Sequence, residues 1–278
     1  VSAILNAALI ALVLRTVAEL RRPGWVGLGV VAAITPMTIF TASSMTPQGP
    51  EILGAVLTTT VLAALVYQPD DALLRRRLVR LVVACAAFVL TRGLSPAYLL
   101  LVVVAVLVIA PSMPRLLALL RRRATIVAVV ACGLLSVGAL AYTLLSGSLS
   151  LGVIYPDPTL TPVSVVSIML ENTDYYIRSM IGDFGWGDTP LPGWLLMGFA
   201  SVVVALTGVA LALGTARERI VLLGLALATL ALPIVVQLRS FEESGIVWQG
   251  KYVLPIAITV PVLAGFVVAR HLPSFDRA

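Results

Sequence analysis

This sequence is poor in charge. Only 12% of its 278 residues are Asp, Glu, Lys or Arg, while 60% are hydrophobic. A soluble domain carries about 25% charged residues because its surface must be solvated. This chain has too few to cover such a surface, and a bilayer is the solvent that removes the need. Cysteine and histidine are nearly missing as well. Cys85 and Cys132 each sit inside an apolar run, and His271 stands near the C-terminus among basic residues. That argues against a disulfide and leaves a histidine-built metal site without support; the cysteines read as small buried hydrophobes. There is no internal repeat and no low-complexity linker, so a single membrane domain over 1–278 is expected. The chain opens Val1-Ser2-Ala3 with no charged segment ahead, unlike a signal peptide before a soluble domain. The expectation is that it forms the C-terminal portion of a longer parent.

What is present is a series of apolar runs: 1–20, 24–42, 51–67, 78–91, 94–111, 124–146, 193–214, 220–238 and 252–270. About 20 residues cross the hydrocarbon core as a helix. In lipid only helices and closed barrels satisfy their own backbone. The fold class expected is therefore all-α: a polytopic bundle of roughly nine transmembrane helices. Pro36, Pro233, Pro255 and Pro261 lie in spans, where they can kink them.

The net charge of +6 carries no aromatic–basic groove pattern, so nucleic acid is excluded as a partner. The basic residues instead cluster between runs: Arg21-Arg22, Arg75-Arg76-Arg77 with Arg80, Arg121-Arg122-Arg123, and Arg217 with Arg219. Arg15 and Glu19 stand one turn apart and read as a structural pair. Putting Arg21-Arg22 in the cytoplasm puts every cluster there, with the C-terminus, and leaves 43–50, 147–192 and 239–251 outside. Residues 75–80 and 115–123 share one side. The short run 78–91 must then pair with 94–111 as two spans or a re-entrant hairpin, with its tip at Thr91-Arg92-Gly93.

The informative residues fall on the outer side. The loop 147–192 is longer than a plain connection. It begins with a turn at Tyr155-Pro156-Asp157-Pro158 and continues as an amphipathic helix over 163–181, either lying on the outer leaflet or packed on other loops. Then comes Gly182-Asp183-Phe184-Gly185-Trp186-Gly187-Asp188-Thr189-Pro190-Leu191-Pro192, a shaped loop rich in glycine and proline. Asp183 and Asp188 can bind a metal or serve as a general base, or they cap turns through their own backbone. Trp186 and Phe184 suit the headgroup level. Arg92, at the tip of a hairpin, is either a snorkelling residue or a bidentate ligand for lipid phosphate. Lys251 and Tyr252 read as an interfacial anchor or as the edge of a phosphate or sugar site. Glu242 and Glu243 read as solvated. Pro50 and Glu51 read as helix-start chemistry.

The stretches Thr46-Pro47-Gln48-Gly49-Pro50-Glu51, Leu90-Thr91-Arg92-Gly93, Gly182 to Pro192, and Trp248-Gln249-Gly250-Lys251-Tyr252-Val253-Leu254-Pro255 resemble the DUF2142 family of bacterial polytopic proteins over about residues 30–262. The chain departs from the family at Lys251, where Arg is commoner, at Gly187, where a bulkier residue is, and at Gly93, where Pro is. The family looks related to the GT-C class of membrane glycosyltransferases. That resemblance implies a bacterial cytoplasmic membrane protein that takes a sugar from a polyprenyl-phosphate donor to a glycan acceptor in cell-envelope assembly, with a divalent metal as an optional cofactor. It implies phosphate and substrate contacts from Arg92, Lys251 and Arg178, with Trp186, Tyr252 and Gln249 beside them, and acceptor or metal contacts from Asp183 and Asp188. The class carries an acidic motif on its first external loop. The loop 43–50 has no carboxylate, which places that motif upstream of Val1 on this reading. A transporter or flippase of a lipid-linked or polar solute, or a non-catalytic membrane subunit, are the alternatives. A polar track through the bundle would favour transport, and polar residues gathered at the outer face would favour the enzyme.

Overall fold

A computed structural model describes residues 2–147, 157, 159–185 and 187–273. The elements in order are α1 (Ser2–Ala18), α2 (Pro23–Ala33), α3 (Pro36–Ser43), α4 (Gln48–Tyr67), α5 (Leu74–Val89), α6 (Ser95–Val108), α7 (Met113–Leu120) and α8 (Arg123–Leu145). There follow α9 (Pro162–Glu171), α10 (Thr173–Ile181), the two-residue strands β1 (Asp183–Phe184) and β2 (Thr189–Pro190), α11 (Gly193–Leu213), α12 (Ala216–Ser244), a 3-10 turn at Gly250–Tyr252, α13 (Leu254–Ala257) and α14 (Thr259–His271). The starts are written in the sequence. Pro opens α2, α3, α6, α7 and α9, where its missing N–H costs nothing. Thr215 and Glu218 close a capping box on α12, as Thr161 and Ser164 do on α9.

Five stretches are long and apolar enough to cross a membrane: α4, α8, α11, α12 and Leu254–His271. Helices α2 and α3, bent by 66° at Ile34-Thr35, make a sixth if counted as one broken span. The apolar runs 1–20, 78–91 and 94–111 fold as α1, α5 and α6, all shorter than those spans.

Helix α4 is the buried axis, with α1, α3, α5, α6, α13 and α14 packed around it. Helix α14 is nearly as buried, between α2, α4, α11 and α12. Helices α8 and α11 are peripheral and expose apolar side chains such as Val127, Leu134, Met197 and Val204. With no hydrophobic drive between helices in lipid, close approach through small residues supplies the packing. A Cβ at Gly54 would stand 2.8 Å from the backbone nitrogen of Phe88 on α5, and Gly29 and Gly265 seat α2 on α14 in the same way.

The contacts sort the chain into two ends. At the basic end, Arg77 donates to the carbonyls of Ala64 and Gln68, and Arg80 donates twice to Glu19 at 2.7 Å. Arg22 donates to the carbonyl of Ala269, Arg122 pairs with Asp71, and Arg270 pairs with Glu218, which also accepts from Tyr67. The opposite end holds the tip between α5 and α6, the β1–β2 hairpin and the segment 245–252. The α5–α6 hairpin runs beside α4 from end to end: Arg77 meets its last turn, Phe88 its second turn at Gly54, and Arg92 its first turn at Glu51.

Local structure departs from expectation in several places. The stretch 163–181 is two helices broken at Asn172, whose backbone leaves the helical region. Their inner faces pack on protein: Val165 and Met169 lie toward α12, and Tyr176, Ser179 and Met180 toward α3 and the 3-10 turn. Helix α4 begins at Gln48, so Pro50 is its third residue. Helix α12 continues past residue 238 to Ser244 and carries Arg239, Glu242 and Glu243 on its last turns. Helix α7 was not expected. Cys85 and Cys132 are free thiols on facing turns of α5 and α8.

Candidate functional site

The loop-rich end holds a half-open groove of about 960 Å³. Helix α8 packs on α5 and α6, while α12 packs on α6, α9, α11, α13 and α14. The two flank a groove that the α5–α6 tip closes at its end. One wall is Tyr142 and Ala139 of α8; the facing wall is Val235, Val236, Arg239 and Glu243 of α12. The tip contributes Leu90 and Arg92, and the segment after α12 contributes Val247, Trp248 and Tyr252. Tyr142, Leu90 and Val235 are exposed apolar or aromatic surface, as suits walls that meet acyl chains.

Arg92 occupies the head of this groove for local reasons. Thr91, Arg92 and Gly93 lie in the turn where α5 has ended and the Pro-started α6 has not begun. Its guanidinium lies 3.6 Å from Oε2 of Glu51 and 4.6 Å from the centre of the Tyr252 ring. Glu51 is 1% exposed; Ser95 donates to its Oε1 at 2.6 Å, and Oε2 accepts no hydrogen bond among the described residues. Glu51 therefore does more than start a helix: it is the buried counter-ion of Arg92. The sequence signal was present in Pro-Glu at a helix start, but its partner was not.

Tyr252 links the two cations, since the Lys251 ammonium lies 5.9 Å from the same ring centre. Lys251, the chain's single lysine, donates to the Gly185 carbonyl at 3.0 Å and so clips the segment 245–252 to the hairpin. Burial, with the charge of Arg92 beside it, holds the Lys251 ammonium below its usual pKa. Gly250 makes the approach possible. Its N–H donates to Ser179 Oγ, and a Cβ there would overlap the Tyr176 carbonyl. Gln237 of α12 holds the other flank, donating to the Gly245 carbonyl at 2.6 Å.

The hairpin pairs Asp183 with Pro190 and Phe184 with Thr189, antiparallel. Gly185 and Gly187 take positive φ in the turn, where Gly is at ease. Phe184 packs at a tilt against Phe40 of α3, centroids 5.0 Å apart, which fixes the hairpin to the bundle. Asp188 lies in the turn against Gly185 and accepts from Thr189 Oγ1. Asp183 is buried, and its Oδ1 has no hydrogen-bond partner among the described residues. Tyr175 lies between Asp183 and Tyr252; burial, then those two neighbours, raises its phenol above the ordinary range.

Of the residues singled out in the sequence, Arg92, Lys251, Tyr252 and the hairpin carrying Asp183 and Asp188 thus meet in one region. Arg92 and Tyr252 line the groove; Asp183 and Asp188 do not. Arg178 points away, exposed and paired with Asp174 at 2.7 Å, one turn back on α10. Gln249 is buried beside the 3-10 turn and does not line the groove. Trp186, and all of the turn 155–158 but Asp157, lie outside the described residues. Sequence reasoning missed Arg239 and Glu243 as groove residues, along with Tyr142, Ser95 and the role of Glu51. Among the described residues no three His, Cys, Asp or Glu side chains gather to share a metal ion, so the carboxylates present do not form a metal cage.

A family model described as a predicted membrane protein, DUF2142, matches residues 1–260, and the chain belongs to that family. No curated protein and no solved structure matches the chain.

Proposed function

We propose that this DUF2142 protein is a GT-C-like glycosyltransferase of the bacterial cytoplasmic membrane, and that its groove holds the phosphate of a polyprenyl-phosphate sugar donor. The observation that carries the reading is Arg92, a guanidinium set at the head of an apolar groove of about 960 Å³ between two helices with exposed apolar faces. A lipid-linked phosphate matches both parts: the fork takes the phosphate, and the walls take the tail. In glycosyl transfer, the phosphate oxygen departs with the bonding electrons as the acceptor oxygen, giving up its hydroxyl proton to a general base, joins the sugar. A fixed cation beside that oxygen stabilises the charge it gains. Tyr252 and Glu51 keep the guanidinium in place before the ligand arrives.

In this reading the apolar runs make nine crossings, the basic end faces the cytoplasm, and the hairpin and groove open to the outside. The distribution of buried charge supports an enzyme over a transporter. Glu51 lies at one end, with Arg92 beside it, while Arg77, Arg80 and Glu218 lie at the other; the middle of α4 carries only the hydroxyls of Thr58, Thr59 and Thr60. The acceptor is a cell-envelope glycan.

The test uses the full-length protein in lipid nanodiscs, with farnesyl phosphate as a binding probe and a prenyl-phosphate sugar as donor. Arg92→Ala should weaken probe binding and lower turnover by tenfold or more, the loss of one charge-assisted contact. Unchanged binding and turnover would remove the phosphate role of the groove.

A further inference from the structure

Arg239 is the cation that the rest of the site leaves unanswered. It lies on the last turns of α12, exposed, in the wall of the groove that faces α8. Among the described residues it makes no hydrogen bond and no ion pair. Glu243 stands one helical turn along the same wall, a spacing at which such pairs ordinarily close, yet the two do not meet within ion-pair distance. Arg92, by contrast, already has Glu51 at 3.6 Å and the face of Tyr252. Below Arg239 the wall is Val235 and Val236, so the guanidinium sits at the polar rim of an apolar surface. An exposed guanidinium in that position is placed to meet an anion whose apolar chain lies on the valines.

We infer that Arg239 is a second phosphate ligand of the groove, closing on an anionic headgroup from the wall of α12 while Arg92 holds it from the α5–α6 tip. The inference rests on the reading of the groove as a lipid-phosphate site and deepens it. The ligand is one phosphate group borne by an apolar chain, gripped by guanidinium forks on two separate elements. Two forks suit the non-bridging oxygens of one phosphate better than two ammonium groups would, because each can bind bidentately. The apolar walls choose the lipid-borne source: a free phosphate ion gains nothing from Leu90, Val235 or Tyr142. Glu243 works in the opposite sense. A carboxylate on the same wall repels the headgroup and sets an upper limit on how tightly the anion is held.

The sign of each substitution separates this from a general surface effect. In nanodiscs of zwitterionic lipid, farnesyl phosphate is titrated into the full-length protein, with farnesol and inorganic phosphate as parallel probes. Arg239→Ala should weaken farnesyl phosphate binding about tenfold, Arg239→Lys by less, and Glu243→Gln should tighten it several-fold. Melting in the same nanodiscs should not move for Arg239→Ala, because an exposed side chain without partners holds nothing together. If Arg92→Ala weakens binding and Arg239→Ala does not, the second ligand is refuted and the groove reading stands. If neither matters, the groove reading itself fails. Inorganic phosphate binding as tightly as farnesyl phosphate would overturn the lipid-borne source.

Discussion

Replacing Arg92 with alanine removes the cation that faces a carboxylate buried to 1% exposure. Glu51 would keep the Ser95 hydroxyl on Oε1 and would have nothing on Oε2. Breaking a buried pair from one side typically costs about 3–5 kcal/mol, because the charge left behind cannot reach water. Here Arg92 is 29% exposed and its approach of 3.6 Å is longer than a charge-assisted hydrogen bond, so the expected loss sits at the low end, about 3 kcal/mol. Glu51→Gln is the milder change. Arg92 can turn to water, and the Gln carbonyl still accepts from Ser95, which leaves a loss of about 1 kcal/mol. The two losses should not add. Arg92→Ala with Glu51→Gln has no orphaned charge, so the double variant should be more stable than Arg92→Ala alone by about 2 kcal/mol. Denaturant unfolding in one detergent, followed by loss of helical circular dichroism, measures the cycle. A double variant less stable than Arg92→Ala would refute the account of Glu51 as an enclosed counter-ion.

Other measurements probe the remaining contacts. Two hydrogen bonds from Arg80 hold the Glu19 carboxyl below its ordinary range, so its folded pKa lies under its unfolded one. That contribution is complete above the unfolded value and disappears as pH falls through the folded one, so the wild type should lose more stability between pH 5 and pH 3, on the order of its carboxylate range, than Glu19→Gln does; parallel curves would contradict this. Gly250→Ala drives a Cβ into the Tyr176 carbonyl and should cost about 1–3 kcal/mol, while Gly198→Ala, with open space around it, should be neutral or stabilising. Equal melting of the two would show that the segment 245–252 is not seated as described. Thr189→Cys, on the exposed strand of the hairpin, should react with a membrane-impermeant maleimide on intact cells. Reaction only after lysis would invert the proposed orientation.

Composition alone required helices in lipid, and the alternation of arginine clusters anticipated which helix ends share a side of the bundle. The tip at Thr91-Arg92-Gly93 was legible because two short apolar runs have to reverse somewhere, and arginine marks the place. The Arg92–Glu51 pairing was not legible, because nothing in a linear pattern says that the start of α4 meets the start of α6. Arg239 and Glu243 read as loop residues in the sequence because apolarity stops at 238, while the helix does not. Gly245, at φ +64 immediately after Ser244, is the stop signal that would have placed them on α12. Arg178 was assigned to the site although Asp174, four residues back, was the pairing to expect. The break at Asn172 hid beneath an apolar periodicity that runs through it, although Asn is a common helix boundary residue.

The arginines of one cluster have unequal fates once the bundle has formed. Arg75 and Arg76 stay on the surface, and any cation could replace them. Arg77 instead is buried against the carbonyls of Ala64 and Gln68 at the end of α4, and Arg22 donates to the carbonyl of Ala269. A tally of positive charge treats these residues as equals, but only the first two are interchangeable ballast. Turning the assembled bundle over in the bilayer would mean extracting guanidiniums from sockets made of main-chain oxygen and hauling them bare through hydrocarbon. Orientation is therefore decided once, during insertion, and folding then bolts it shut.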